Sequence, residues 1–126
     1  MKRPFARIAI VLAGLLLAGC GGASPTPAGT PAVTAPLVAK NLAFDQSTIT
    51  VPADQTFAIT LNNEDAVPHN VAINGNGQSR SSEPFSGPAT KTFVYAALPA
   101  GTYTFLCSVH PDMKGTLNAT ASGVTP

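Results

Sequence analysis

The chain has little charge and nowhere lets one sign dominate. Only 10% of its 126 residues are charged, seven lysines and arginines against six acids. That excludes the basic stripe a nucleic-acid surface requires. There is also no long hydrophobic run. The one extended apolar stretch, Ile8–Ala18, has eleven residues, well short of the ~20 that cross a bilayer as a helix. Helical periodicity is missing as well, and no internal repeat is visible. Metal-binding and nucleophilic side chains are few, with two histidines, two cysteines and two methionines, one of them the initiator.

The apolar stretch follows Lys2, Arg3 and Arg7, the layout of a secretory signal peptide. It runs into Leu17-Ala18-Gly19-Cys20, which resembles the lipobox of bacterial lipoproteins. The resemblance implies that residues 1–19 are removed and that Cys20 carries a diacylglycerol on its sulfur. The protein is then exported and lipid-anchored to the cell membrane, facing the periplasm or the cell exterior. Cleavage before Cys20 takes 19 of the 126 residues and leaves 107, enough for one small domain. It also removes three bases, so the formal charge of +1 becomes −2, with Lys40, Arg80, Lys91 and Lys114 against six acids. With Cys20 acylated, Cys107 has no disulfide partner, and a lone thiol in an oxidising compartment calls for burial, reactivity or a metal.

Residues 21–36, GGASPTPAGTPAVTAP, bury too little to fold and favour extended conformations. Together with Cys20 they read as a disordered tether (20–36), followed by a domain over 37–122 and a short tail over 123–126. Within the domain the hydrophobic pattern has period two. It predicts strands over 37–44, 47–51, 56–63, 69–74, 91–98, 101–107 and 115–121, separated by Gly, Pro, Asn and Asp. The segment 75–89 reads as a surface loop with room for a short strand or turn. About seven to eight short strands at this spacing imply an all-β, antiparallel Greek-key sandwich. Leu98-Pro99-Ala100-Gly101-Thr102-Tyr103 fits a tyrosine corner.

Strand alternation then places the scarce donors. Cys107 shares parity with Tyr103 and Phe105, and His69 with Val71 and Ile73. If the apolar residues face inward, so do the thiol and the imidazole. His110 and Met113 follow Cys107 at intervals of three. Taken singly, a buried histidine or cysteine is usually a core residue. Here every thiolate, imidazole and thioether left to the mature chain falls in two strand-end segments. Two imidazoles and a thiolate with a weak axial thioether are the ligand set of a blue-copper site, whereas zinc would want a fourth strong ligand. Soft donors suit Cu(I), imidazoles serve both oxidation states, and a rigid compromise lowers the reorganisation that electron transfer requires.

The stretch NNEDAVPHNVAI (62–73), followed by LPAGTYTFLC and CSVHPDMKG (107–115), resembles the cupredoxins, the small blue-copper proteins that include plastocyanin, azurin and amicyanin. The Cys-x2-His-x2-Met spacing is that of the short amicyanin-like loop. The resemblance covers about residues 37–121. It implies one Cu(I)/Cu(II) ion held by His69, Cys107, His110 and Met113. Asn70 matches a family asparagine that ties the two ligand segments together, with Ser108 as its expected partner. His110 is the expected exposed ligand, with Val67, Pro68 and Pro111 forming part of an apolar rim where a redox protein docks. The function implied is one-electron transfer between redox partners, by a monomeric domain that is not an enzyme. With only two histidines there is no catalytic residue to name and no second copper centre to build. A copper-trafficking or copper-buffering lipoprotein on the same fold is the alternative, although Met-rich and His-rich tracts are missing.

Overall fold

The computed structural model describes residues 29–122. The expected signal peptide, Cys20, the first part of the expected tether and the tail at 123–126 lie outside the described residues. Eleven strands and no helix make up the rest. In chain order they are β1 Thr34–Lys40, β2 Ala43–Phe44, β3 Thr48–Pro52, β4 Phe57–Asn63, β5 Pro68–His69 and β6 Ala72–Gly75. There follow β7 Gln78–Ser81, β8 Phe85–Ser86, β9 Ala89–Tyr95, β10 Gly101–Cys107 and β11 His110–Thr120.

A four-stranded sheet (β2-β1-β4-β9) packs on a five-stranded one (β3-β11-β10-β6-β7), and a two-stranded ribbon (β5-β8) closes one end. The inner faces follow the alternation of the sequence. Tyr103, Phe105 and Cys107 of β10 are buried while Thr102 and Thr104 are exposed. Phe57, Ile59 and Leu61 of β4 and Leu37 of β1 join the same core from the other sheet, with Ile73 and Leu117 beside the β10 residues in their own. Full burial of each such side chain stabilises by roughly 1.5–3 kcal/mol. Phe57 stacks on Tyr95 with centroids 5.4 Å apart. The Tyr103 hydroxyl donates to the Pro99 carbonyl at 2.7 Å, completing the tyrosine corner.

Several expectations are corrected. The sandwich is mixed rather than wholly antiparallel, because β1 runs parallel to β4 and β3 parallel to β11. Alternation shows which face is buried but not which direction the neighbour runs. The domain begins before Leu37, since β1 starts at Thr34 and Thr34–Pro36 pair with Ala58–Thr60. Pro36 is tolerated there because its carbonyl faces the open side, where Gln46 Nε2 donates to it at 2.6 Å. Its missing N–H therefore costs no bond to β4. The segment 75–89, expected as a surface loop with room for a short strand or turn, holds two short strands, β7 and β8. Asn76-Gly77, with φ of 49° and 72°, closes a two-residue β6–β7 hairpin, the turn that Asn-Gly favours.

The predicted strand over 37–44 is broken at Asn41-Leu42. Both residues have positive φ, 52° and 59°, and form the two-residue turn between β1 and β2. A branched residue such as leucine pays roughly 1–2 kcal/mol in this region. Phe44, just beyond the turn, packs on Phe105 with centroids 5.5 Å apart.

Candidate metal centre

The site is at the end of the sandwich that β5 and β8 close. His69 ends β5, where it pairs with Phe85 and is fully buried. Cys107 ends β10 and is fully buried. His110, half-buried, opens β11 directly opposite Cys107. The pairing then jumps. Leu106 is partnered by Lys114, so one step along β10 corresponds to four along β11. Pro111, Asp112 and Met113 are the three extra residues, and this bulge carries Met113 back into the core.

Both imidazoles turn Nδ1 toward the sulfur. The Cys107 Sγ lies 3.7 Å from His69 Nδ1 and 3.8 Å from His110 Nδ1. The ring centroids are 4.9 Å apart at 61°, and the donor atoms of the three residues all fall within 4.8 Å of one another. In a trigonal plane, nitrogen and sulfur at about 2.1 and 2.3 Å from a first-row metal lie about 3.8 Å apart. The observed separations match, so the residues fit a single ion without rearrangement. Two borderline nitrogens, one thiolate and a buried thioether three residues on select copper over zinc.

The surroundings hold this geometry. Asn70 Oδ1 accepts from the Ser108 amide at 2.8 Å and from the Ser108 hydroxyl at 3.1 Å. Its Nδ2 donates to the Ser82 carbonyl at 3.0 Å. Asn70 therefore ties the β5–β6 junction to the residue after the thiolate and to the segment after β7.

One participant, Asp65, is not singled out by the sequence. The structure puts Asp65 Oδ2 2.9 Å from His69 Nε2. An ionised carboxylate only accepts, so Nε2 carries the proton and Nδ1 keeps its lone pair for the metal. The Leu42 amide, the His69 imidazole and the Asn41 amide, in falling order of effect, lower the Asp65 carboxyl to about 2. The one signal in the sequence is an acid four residues ahead of a candidate ligand, a weak cue without a contact to support it.

Four apolar residues within two positions of His69 or His110 are exposed. Val67 is 41% exposed, Pro68 and Pro111 are exposed, and Val109 joins them at 45%. Val109 is the one of the four that the sequence does not reveal. It sits in the two-residue connection between β10 and β11, where parity says nothing about direction.

A β-sandwich with two imidazoles and one thiolate converging at a closed end defines a mononuclear metal-binding domain of the blue-copper kind. The chain belongs to the cupredoxin-like domain family, whose model matches residues 8–119. Among solved structures, auracyanin from Roseiflexus castenholzii is 22% identical with a TM-score of 0.61, the match covering 72% of this chain and 99% of that one. Auracyanin A from Chloroflexus aurantiacus, described as a "blue" copper protein, is 24% identical with a TM-score of 0.59, covering 69% and 98%. Amicyanin from Paracoccus versutus is 20% identical with a TM-score of 0.56, covering 72% and 85%. At these identities the likeness establishes the fold. No curated protein matches the chain.

Proposed function

We propose that this protein is a one-electron carrier in which His69, Cys107 and His110 would hold a single copper ion, with the buried Met113 thioether as a weak fourth donor. The observation that carries the reading is the convergence of two Nδ1 atoms on one buried thiolate at 3.7 and 3.8 Å. Bound there, copper supplies a Cu(II)/Cu(I) couple. His69 and Cys107, both buried, exclude water from the donor plane. Asn70 and Asp65 hold the ligands in one arrangement, so little has to move when the charge changes. His110, half-buried and flanked in sequence by the exposed Val109 and Pro111, is the ligand a redox partner can approach. Both histidines of the chain lie in this site, which leaves none for a second copper centre or a hydrolytic triad. Reaction chemistry is therefore assigned to the partners. The lipobox-like Leu17–Cys20 supports tethering of the carrier to a membrane through Cys20.

The test is the visible spectrum of the mature chain carrying Cys20→Ala and loaded with Cu(II). An intense blue thiolate-to-copper band that disappears in Cys107→Ser is expected, and a colourless Cu(II) protein overturns the reading. Fast electron self-exchange separates a carrier from a protein that only stores or delivers copper. For the anchor, incorporation of labelled fatty acid should be lost in Cys20→Ala, with the protein released from the membrane fraction.

A further inference from the structure

Asp65 has two kinds of partner. Oδ2 meets His69 Nε2 at 2.9 Å and the Leu42 amide at 3.0 Å, while Oδ1 accepts from the Asn41 amide at 2.8 Å. The carboxylate thus bridges a metal ligand to the tip of the β1–β2 hairpin, 23 and 24 residues away in sequence. We propose that the Asn41–Leu42 turn acts as a positioning element for the ligand His69, working through Asp65. The inference rests on the metal reading of His69.

Packing does not explain the turn. Leu42 is 55% exposed, so its side chain buries little, yet it is held at a φ of 59° that leucine avoids. What the left-handed pair accomplishes is to aim two consecutive amides at one carboxylate. An observed backbone outlier of this kind points toward a functional constraint. The rest of Asp65 is fixed independently. Its amide donates to Asn63 Oδ1 at 2.9 Å, and its carbonyl accepts from the Gly87 amide at 3.0 Å. Asn63, fully buried, is itself anchored by bonds to the Val67 and Phe85 carbonyls at 2.9 and 2.8 Å. With its main chain held on that side, the carboxylate's orientation is left to the two turn amides and the imidazole. Loosening the turn frees the carboxylate to rotate, and His69 loses the acceptor that keeps its proton on Nε2.

The tautomer of His69 can be read from imidazole nitrogen-15 shifts in the metal-free protein, so the result stands whether or not the chain binds copper. The unmodified protein should show the proton on Nε2, and Asp65→Ala should give a mixture of tautomers. Leu42→Pro, which removes one amide donor and cannot adopt the positive φ of the turn, should shift the mixture the same way. A glycine inserted between Asn41 and Leu42 displaces both amides in a surface turn that tolerates lengthening. It provides the test if the proline variant does not fold. Leu42→Gly keeps the amide and the positive φ and should retain the single tautomer. Combining the insertion with Asp65→Ala should add nothing beyond Asp65→Ala alone. In copper(I) affinity the Asp65→Ala loss should be about 10- to 100-fold, with a smaller loss of the same sign for the turn variants. A folded insertion variant with an unchanged His69 tautomer, or effects that simply add, would overturn the proposal.

Discussion

Asn70 and Ser108 stand 38 residues apart in the chain, yet Asn70 Oδ1 receives both the amide and the hydroxyl of Ser108, at 2.8 and 3.1 Å. One amide side chain thereby fixes the distance between the residue after His69 and the residue after Cys107. Asn70→Ala removes both bonds and leaves the Ser108 amide and the Ser82 carbonyl without this partner. The expected cost is about 1–3 kcal/mol, measured by urea unfolding of the metal-free protein. A loss within experimental error would show that the two ligand segments are held by the core alone.

The tyrosine corner gives a prediction remote from the site. Tyr103→Phe deletes only the hydroxyl that donates to Pro99 and leaves the buried ring in place. A typical hydrogen bond of this kind contributes about 0.5–1.5 kcal/mol. Thermal unfolding should shift accordingly, while the spectrum of the copper-loaded protein stays the same. A changed spectrum would mean that the corner reaches the metal centre.

Alkaline pH provides a test of burial. Tyr95 donates to the Val71 carbonyl at 3.0 Å, and burial, partly offset by a hydrogen bond to Ser82, pushes its phenol up to about 12 from an ordinary 10.0. The folded phenol holds its proton where the unfolded one has already lost it. Its contribution is therefore fully present below pH 10 and disappears as pH rises toward 12. Over that window the protein should lose roughly 2–3 kcal/mol more stability than Tyr95→Phe, which has no phenol to ionise. Parallel stability curves for the two proteins would refute it.

Gly87→Ala tests the loop that carries Asp65. A Cβ at Gly87 would collide with the main-chain carbonyl oxygens of Asn63 and Asp65, atoms that cannot rotate aside as a side chain could. The variant should lose about 1–3 kcal/mol, read by denaturant midpoint. Amide exchange at Asn41 and Leu42 should rise as Asp65 is displaced. A neutral substitution would mean that the loop yields without strain.

Much of the site is legible in the sequence because its chemistry is local. Cys107, His110 and Met113 sit within seven residues, and parity with Tyr103 and Phe105 is enough to turn the thiol inward. The β7 strand is signalled too, through Asn76-Gly77, but the polar residues after that turn hide it. Asp65 is not legible. Its donors at Asn41 and Leu42 come from a turn whose residue types say nothing of a positive φ at leucine, and a carboxylate in a polar loop looks like any solvated acid. The parallel pairs β1–β4 and β3–β11 are hidden for a similar reason, since period-two alternation is the same for either strand direction.

By itself the sequence determined the all-β class, the inward set of side chains and the donor atoms available to a metal. Composition and parity are local properties, and the chain carries no other imidazole and only one other cysteine, Cys20, to choose from. Only the tertiary structure decided that the two Nδ1 atoms meet one sulfur at 3.7 and 3.8 Å. It alone decided that a carboxylate holds the proton of His69 on the far nitrogen. Those are relations across a sandwich, set by which strands pair and how far each ligand segment reaches past its last rung, and no local pattern encodes them.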